Sequence, residues 1–204
     1  MGKVDSNKQI KETSLLRTAF DFFTTKGFSK TSISDIVSKA GVAKGTFYLY
    51  FKDKYDIRNR LIAHKSSQLF SNALQELGSR TEGKSFEDKL IMIIDNIVNQ
   101  LNANQSLLTF ISKNLSWGIF KSALTSTTAE GDVNFGDVYY SMLSEEPGGF
   151  RDPEIMLFMI IELVSSTCYS SILYSEPCDL KKLKPYLYDG VRDIIARHRL
   201  SARK

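Results

Sequence analysis

The stretch Thr31–Lys54, TSISDIVSKAGVAKGTFYLYFKDK, leaves few folds open to this chain. Thr31 or Ser32 supplies a helix cap, and Asp35 follows Ser32 at the spacing of a capping pair. Ile33, Ile36, Val37 and Ala40 recur at helical spacing and give that helix one apolar side. Gly41 then ends it, because a residue without a Cβ adopts the left-handed conformation at little cost. Val42 plugs the turn, and a second short helix spans about Ala43 to Tyr50 with Phe47 and Phe51 facing inward. Two short helices joined by a glycine turn over a small apolar core make a helix-turn-helix, placed at about 32–51.

Composition supports an all-α chain around this unit. Four prolines and twelve glycines in 204 residues are too few for the many turns of a β-sandwich. The net charge of +4 is unevenly spread. Residues 1–65 hold 13 Lys and Arg against 6 Asp and Glu, whereas residues 66–204 hold 14 against 17. A basic head on a mildly acidic body suits a chain whose head alone meets a polyanion. A charged, solvated face would give the same count, so charge alone does not decide.

Periodicity predicts the remaining elements. A first helix runs from about Ser6 to Lys26, with Leu16, Ala19, Phe20 and Phe23 on one stripe and Leu15 and Phe22 widening it; Gly27 stops it. A long fourth helix runs from near Asp53 to Gly78. A loop at 79–85 leads to a fifth helix at about Phe86–Asn102, whose face is Leu90, Ile93, Ile94, Ile97 and Leu101. The sixth covers about Gln105–Leu124, residues 125–137 form a loop, and Val138–Ser144 forms a short helix. An eighth spans about 153–175 and a last one about 183–198. The expected domains are therefore 1–52, helix-turn-helix, and 53–204, a helical body.

The outward residues of the third helix carry chemistry suited to duplex DNA. Lys44 can reach a guanine edge or a phosphate, and Thr46 a phosphate or a thymine methyl. Gly45 lets the backbone approach closely. Tyr48 and Tyr50 can donate phenolic hydrogens to phosphates. Thr31 and Ser32 stand at the start of the second helix, where free N–H groups and a hydroxyl suit a phosphate. Lys54 does the same near the start of the fourth helix. Lys26, Lys30, Lys39 and Lys52 add diffuse positive charge.

The run LLRTAFDFFTTKGFSKTSISDIVSKAGVAKGTFYLYFKDK, residues 15–54, resembles the tetracycline-repressor (TetR) type of bacterial transcriptional regulators. The resemblance rests on the Gly27 stop, the Thr-x-x-x-x-Ile-x-x-x-Ala-Gly-Val spacing and the Gly-Thr-Phe-Tyr-x-Tyr-Phe-x-x-Lys run. It covers roughly the first 60 residues. It implies a homodimer that binds a palindromic operator, represses nearby genes and releases DNA when a small molecule fills the C-terminal domain. The residues matching the family's DNA contacts are Thr31, Ser32, Lys44, Gly45, Thr46, Tyr48, Tyr50 and Lys54. Three positions depart from the pattern: Val37 for a usual Ala, Ala43 for a frequent Ser or Thr, and Leu49 where Tyr or His is common.

No catalytic set, metal site or cofactor motif can be assembled in the body. Only two histidines occur, there is no glycine-rich phosphate loop, and Cys168 and Cys178 are not in a metal-binding spacing. The two cysteines read as free thiols. The apolar run Ile155–Tyr174 is long enough to span a bilayer but carries Glu162 and many hydroxyls; it reads as a soluble helix buried on most sides, with no membrane partner. The N-terminus lacks an apolar signal segment, and the expected location is the bacterial cytoplasm, on the nucleoid. The helices at about 153–175 and 183–198 are expected to form the homodimer contact. A ligand pocket for a small hydrophobic or amphipathic effector is expected to be lined by Phe110, Trp117, Phe120, Tyr139, Met142 and Phe158. Activation instead of repression, or a helical interaction protein without sequence-specific DNA binding, stays open at this level.

Overall fold

The computed structural model describes residues 3–114, 118 and 135–200, and side chains from Asn7 onward. All described elements but one isolated bridge are helical: α1 Lys3–Thr25, α2 Ile33–Ala40, α3 Lys44–Tyr50, α4 Lys54–Leu77, a 3-10 turn Gly78–Thr81, α5 Phe86–Ala103, α6 Gln105–Asn114, α7 Phe135–Ser144, α8 Pro153–Tyr174 and α9 Leu180–His198. The chain forms two compact units, Met1–Lys65 and Ser66–Lys204. The division falls inside α4, whereas the sequence suggests a boundary at 52/53, before that helix begins.

In the first unit the core is built from Leu15, Ala19 and Phe23 of α1, Ile36 and Val37 of α2, Phe47 of α3 with Phe51 just beyond it, and Ile57, Leu61 and Ile62 of α4. Leu15, not Leu16, leads the α1 stripe, since Leu15, Thr18, Ala19 and Phe23 share one face at three- and four-residue steps. The α2 cap forms as its sequence predicts. Ser32 Oγ accepts from Asp35 N–H at 3.1 Å, and Ser32 N–H donates to Asp35 Oδ2 at 2.9 Å. The Ser32 backbone and hydroxyl hold the Asp35 carboxyl below the usual carboxylate range. Gly41 adopts φ +70°, and Val42 N–H closes back on Val37 O at 3.0 Å. Ala43 gives α3 no side-chain cap. At α4, Asp53 Oδ1 accepts from the N–H groups of Tyr55 and Asp56, both at 2.8 Å.

Two predicted DNA contacts prove to be internal fasteners. Thr31 is 1% exposed; its hydroxyl donates to Gly27 O at 2.9 Å and its N–H to Phe28 O at 3.3 Å. Lys54 donates from Nζ to Phe28 O and Thr31 O, both at 2.9 Å, and lies 4.4 Å from the Phe28 ring centroid. Lys54 thus ties the first turn of α4 to the segment that leads into α2. The carbonyls at 28 and 31 accept from an ammonium, a stronger acceptor pairing than two neutral groups would make.

The second unit encloses a larger core. Phe86, Leu90 and Ile94 of α5 join Leu108 of α6, Tyr139 of α7, Met156, Leu157, Ile160 and Ile172 of α8, and Leu187, Val191 and Ile195 of α9. Helices α8 and α9 pack closely at Gly190, where an added Cβ would stand 3.3 Å from Leu163 Cδ2. Helix α9 starts three residues earlier than its periodicity suggests, because Asp179 Oδ1 accepts from Lys182 N–H at 2.8 Å and caps it. Its Pro185 lies within the helix, close enough to the start that one backbone bond is forgone without a break. Helix α7 likewise begins at Phe135, not Val138. Phe135 meets Phe70 edge-on at 4.3 Å and stacks on Tyr139, so tertiary contact recruits residues with little periodicity of their own. The expected continuation of α6 to Leu124, and residues 125–134 of the expected loop, lie outside the described residues.

Polar ties secure the same unit. Asp95 of α5 receives Lys184 Nζ at 2.6 Å and the Tyr188 hydroxyl. Burial alone would raise that carboxyl, but these donors hold it below its ordinary range. Arg199 reaches Glu87 at 2.7 Å and Glu146 at 2.9 Å, fixing the end of α9.

Replacing Lys54 by Met should destabilise the chain by about 1–3 kcal/mol, because Thr31 O loses its ammonium donor and Phe28 O keeps only the longer bond from Thr31 N–H. Replacing exposed Lys44 by Met should change stability by less than about 0.5 kcal/mol. Urea melts of the two variants check the contrast.

Candidate nucleic-acid interface

Helix α3 is seven residues long and has two unlike sides. Phe47 is 0% exposed and Phe51 1%. They lie 5.5 Å apart between ring centroids and form the inner side with Ile36 and Val37. The outer side presents Lys44, Gly45, Tyr48 and Leu49, all exposed, with Thr46 and Tyr50 half-buried at its margins. Tyr48 keeps its ring edge against Phe47 at 5.5 Å while half its surface stays open. That contact orients the phenol without consuming its hydroxyl.

The eight residues singled out from the sequence therefore separate into two groups. Lys44, Gly45, Thr46, Tyr48 and Tyr50 lie together on α3. Ser32 is exposed at the start of α2, where its hydroxyl oxygen and its N–H serve the cap. Thr31 is buried and spends its donors internally, and Lys54 spends two of its three N–H donors on backbone carbonyls. Of the lysines expected to add diffuse charge, Lys26 pairs with Asp35 at 3.7 Å, and both Lys26 and Lys39 lie over the Phe22 ring at 5.0 and 5.5 Å. Arg58, which sequence reasoning passed over, lies 4.8 Å from the Phe28 ring and 5.2 Å from the exposed Tyr55 ring. Its place at the fourth position after Lys54 on α4 is the signal that could have found it.

The second unit holds a cavity of about 560 Å³. Its walls come from α4 (Leu69, Phe70), α5, α6 (Leu108, Ile111), Phe135, and α8 (Leu157, Ile160, Ile161, Val164). The whole predicted α5 face, Leu90, Ile93, Ile94, Ile97 and Leu101, lies on this wall. Polar lining is sparse: serines 66, 67, 112, 165 and 166, Tyr169, and the carboxylate of Glu162. Cys168 also lines it, and burial pushes its thiol up to about 11, so it stays protonated at neutral pH. Among the described residues, no group of His, Cys, Asp and Glu is placed to hold a metal ion.

Of the six predicted pocket residues, the four among the described residues do not line this wall. Tyr139 is 1% exposed and donates its hydroxyl to Pro153 O at 2.8 Å, as a core residue. Phe110 is buried off the cavity surface, and Met142 packs between two core clusters. Phe158 is 38% exposed. Trp117 and Phe120 lie outside the described residues. Large aromatic and Met side chains fill space; here the space left over is bounded by branched aliphatic residues.

Residues 15–61 match the sequence profile of bacterial regulatory proteins of the tetR family. The chain is 41% identical over 96 residues to the HTH-type transcriptional regulator YvdT of Bacillus subtilis, covering 47% of this chain and 46% of that protein. It spans about half the length of the curated relatives it matches. The fold is similar to that of a tetR-family transcription regulator from Shewanella sp. PV-4, with a TM-score of 0.64 at 17% identity over 94% of this chain and 99% of that one. It is also similar to the regulator FadR of Bacillus subtilis in complex with stearoyl-CoA, with a TM-score of 0.57 at 21% identity over 88% and 96%. The helix-turn-helix geometry and the match over its length lead to one assignment: residues 15–61 are a helix-turn-helix segment of the tetR type of bacterial regulatory proteins, carried on a chain whose all-helical fold is similar to that of solved tetR-family regulators.

Proposed function

We propose that this protein is a DNA-binding transcriptional regulator whose hold on an operator is set by a small apolar or amphipathic effector. The observation that carries the DNA reading is the outer side of α3, where Lys44, Tyr48 and the Gly45 gap are exposed while Phe47 and Phe51 anchor the helix from behind. A short helix held in this way can enter a major groove with its flanks against the phosphates. The surplus of basic residues over 1–65 favours the same partner. The tetR-type match of residues 15–61 supports repression at a palindromic operator and a cytoplasmic location.

A homodimer through α8 and α9 is part of this reading. Helix α8 has a mean hydropathy of 1.7 over an 18-residue window, yet only 33% of that window is buried within the single chain. The sequence suggests burial on most sides; the monomer leaves Ile155, Phe158 and Met159 exposed, with Tyr186 of α9 also open. A second copy covering this face would bury it, since obligate interfaces resemble a core cut in half. A dimer also gives the two reading heads that a palindrome needs.

The effector site is the cavity of the second unit. Its volume falls within the range of small-molecule sites, and its aliphatic walls suit a hydrocarbon chain. The fold shared with a regulator that binds stearoyl-CoA supports a long-chain ligand. Ser66, Leu69 and Phe70 of the cavity wall stand on α4, the helix whose first residue is Lys54. An effector that prefers one setting of α4 would change DNA affinity by the ratio of its affinities for the two states.

Three outcomes check the reading. Lys44→Ala combined with Tyr48→Ala should abolish binding to the upstream region of the chain's own gene in a gel-shift assay while the melting temperature holds. Unchanged binding would overturn the α3 assignment. Ile97→Trp should fill the cavity, leaving DNA binding intact but removing the response to long-chain acyl compounds; a retained response places the effector elsewhere. Phe158→Asp should convert a dimer to a monomer in sedimentation, and a wild-type chain that is monomeric at micromolar concentration would refute the interface.

A further inference from the structure

Leu49 is the most exposed large apolar side chain among the described residues, at 78%. At about 100° per residue along a helix, it falls opposite the midpoint of the buried Phe47 and Phe51 and so stands at the outermost line of α3. One turn before it is Gly45, where an added Cβ would meet nothing within 4 Å. The position four residues before Leu49 therefore carries no side chain. Tyr48 flanks it on one side, Thr46 and Tyr50 on the other, and Lys44 stands exposed at the start of the helix. The helix thus carries polar, hydrogen-bonding flanks and a purely apolar tip.

That tip can read little on a DNA duplex. Leucine has no donor or acceptor, so it cannot pair with a phosphate or with the hydrogen-bonding edge of a base. The one apolar group that bases present in the major groove is the C5-methyl of thymine. We infer that Leu49 is a specificity-determining residue which packs against a thymine methyl in each half-site and selects thymine there. The inference rests on the reading of α3 as the DNA-entering helix. Burial of an exposed leucine against a methyl is favourable wherever it occurs. In the groove it is favourable only at thymine, because the other bases put a polar edge or a bare C–H in the same place.

Deoxyuridine separates this contact from all others, since it keeps every hydrogen-bonding group of thymidine and lacks only the methyl. Duplexes that bind the full-length protein are first enriched from a random pool, and each thymine is then replaced singly by deoxyuridine. One symmetry-related position per half-site should lose about three- to tenfold in affinity, the scale of one methyl contact. In Leu49→Ala the loss at that position should vanish, together with the preference for thymine over cytosine there. The variant removes an exposed side chain, and an unchanged melting temperature confirms that it folds. Indifference to deoxyuridine at every position overturns the inference while leaving the DNA-binding reading intact. A penalty that persists in Leu49→Ala also overturns it and transfers the methyl contact to Thr46. A wild-type chain that enriches no duplex refutes the DNA-binding reading itself.

Discussion

The burial of Phe47 and Phe51 is the constraint on which the DNA-reading head depends. A helix of seven residues has too few internal hydrogen bonds to offset its nucleation cost and does not persist alone. Its N-terminus gains nothing from Ala43, which offers no side-chain cap. What holds α3 in place is the burial of two aromatic rings, one turn apart, in the unit that also buries Ile36, Val37, Ile57 and Leu61. The same burial turns Lys44, Tyr48 and Leu49 outward. The reading surface is therefore a consequence of the core behind it.

The loop before α2 is secured by a different physical device. Thr31 and Lys54 are polar residues in a basic head, and their chemistry suits a phosphate. The fold uses it instead to satisfy backbone carbonyls at 27, 28 and 31 beside a buried threonine. Residue type and spacing cannot distinguish the two uses, since an ammonium serves a phosphate and a carbonyl equally well. Only the position of Nζ relative to Phe28 and Thr31 decides between them.

The body poses the same question for apolar residues. Periodicity marks the face of α5 correctly, and that face proves to be cavity wall. It does not say which apolar faces meet neighbours and which border an opening. The large side chains that sequence reasoning assigned to a pocket are those that fill volume best, and Tyr139 and Met142 accordingly became core. The cavity lies where aliphatic residues from α4, α5, α6 and α8 come near one another without closing. Helix α8 shows the complementary case, in which an apolar helix has more surface than its own chain can cover.

The sequence by itself determined the all-α class, the capping box at Ser32 and Asp35, the glycine turn at Gly41, the inward pair Phe47 and Phe51, and the tetR-type character of the helix-turn-helix. Each of these depends on residues a few positions apart, where backbone geometry converts spacing directly into contact. The tertiary structure alone decided the clamp of Lys54 across 23 to 26 residues, the recruitment of Phe135 into α7, the identity of the cavity walls and the open face of α8. These depend on which helices lie beside one another, and that is settled by the packing of whole surfaces. A local pattern records which face of a helix is apolar; it does not record what that face will meet.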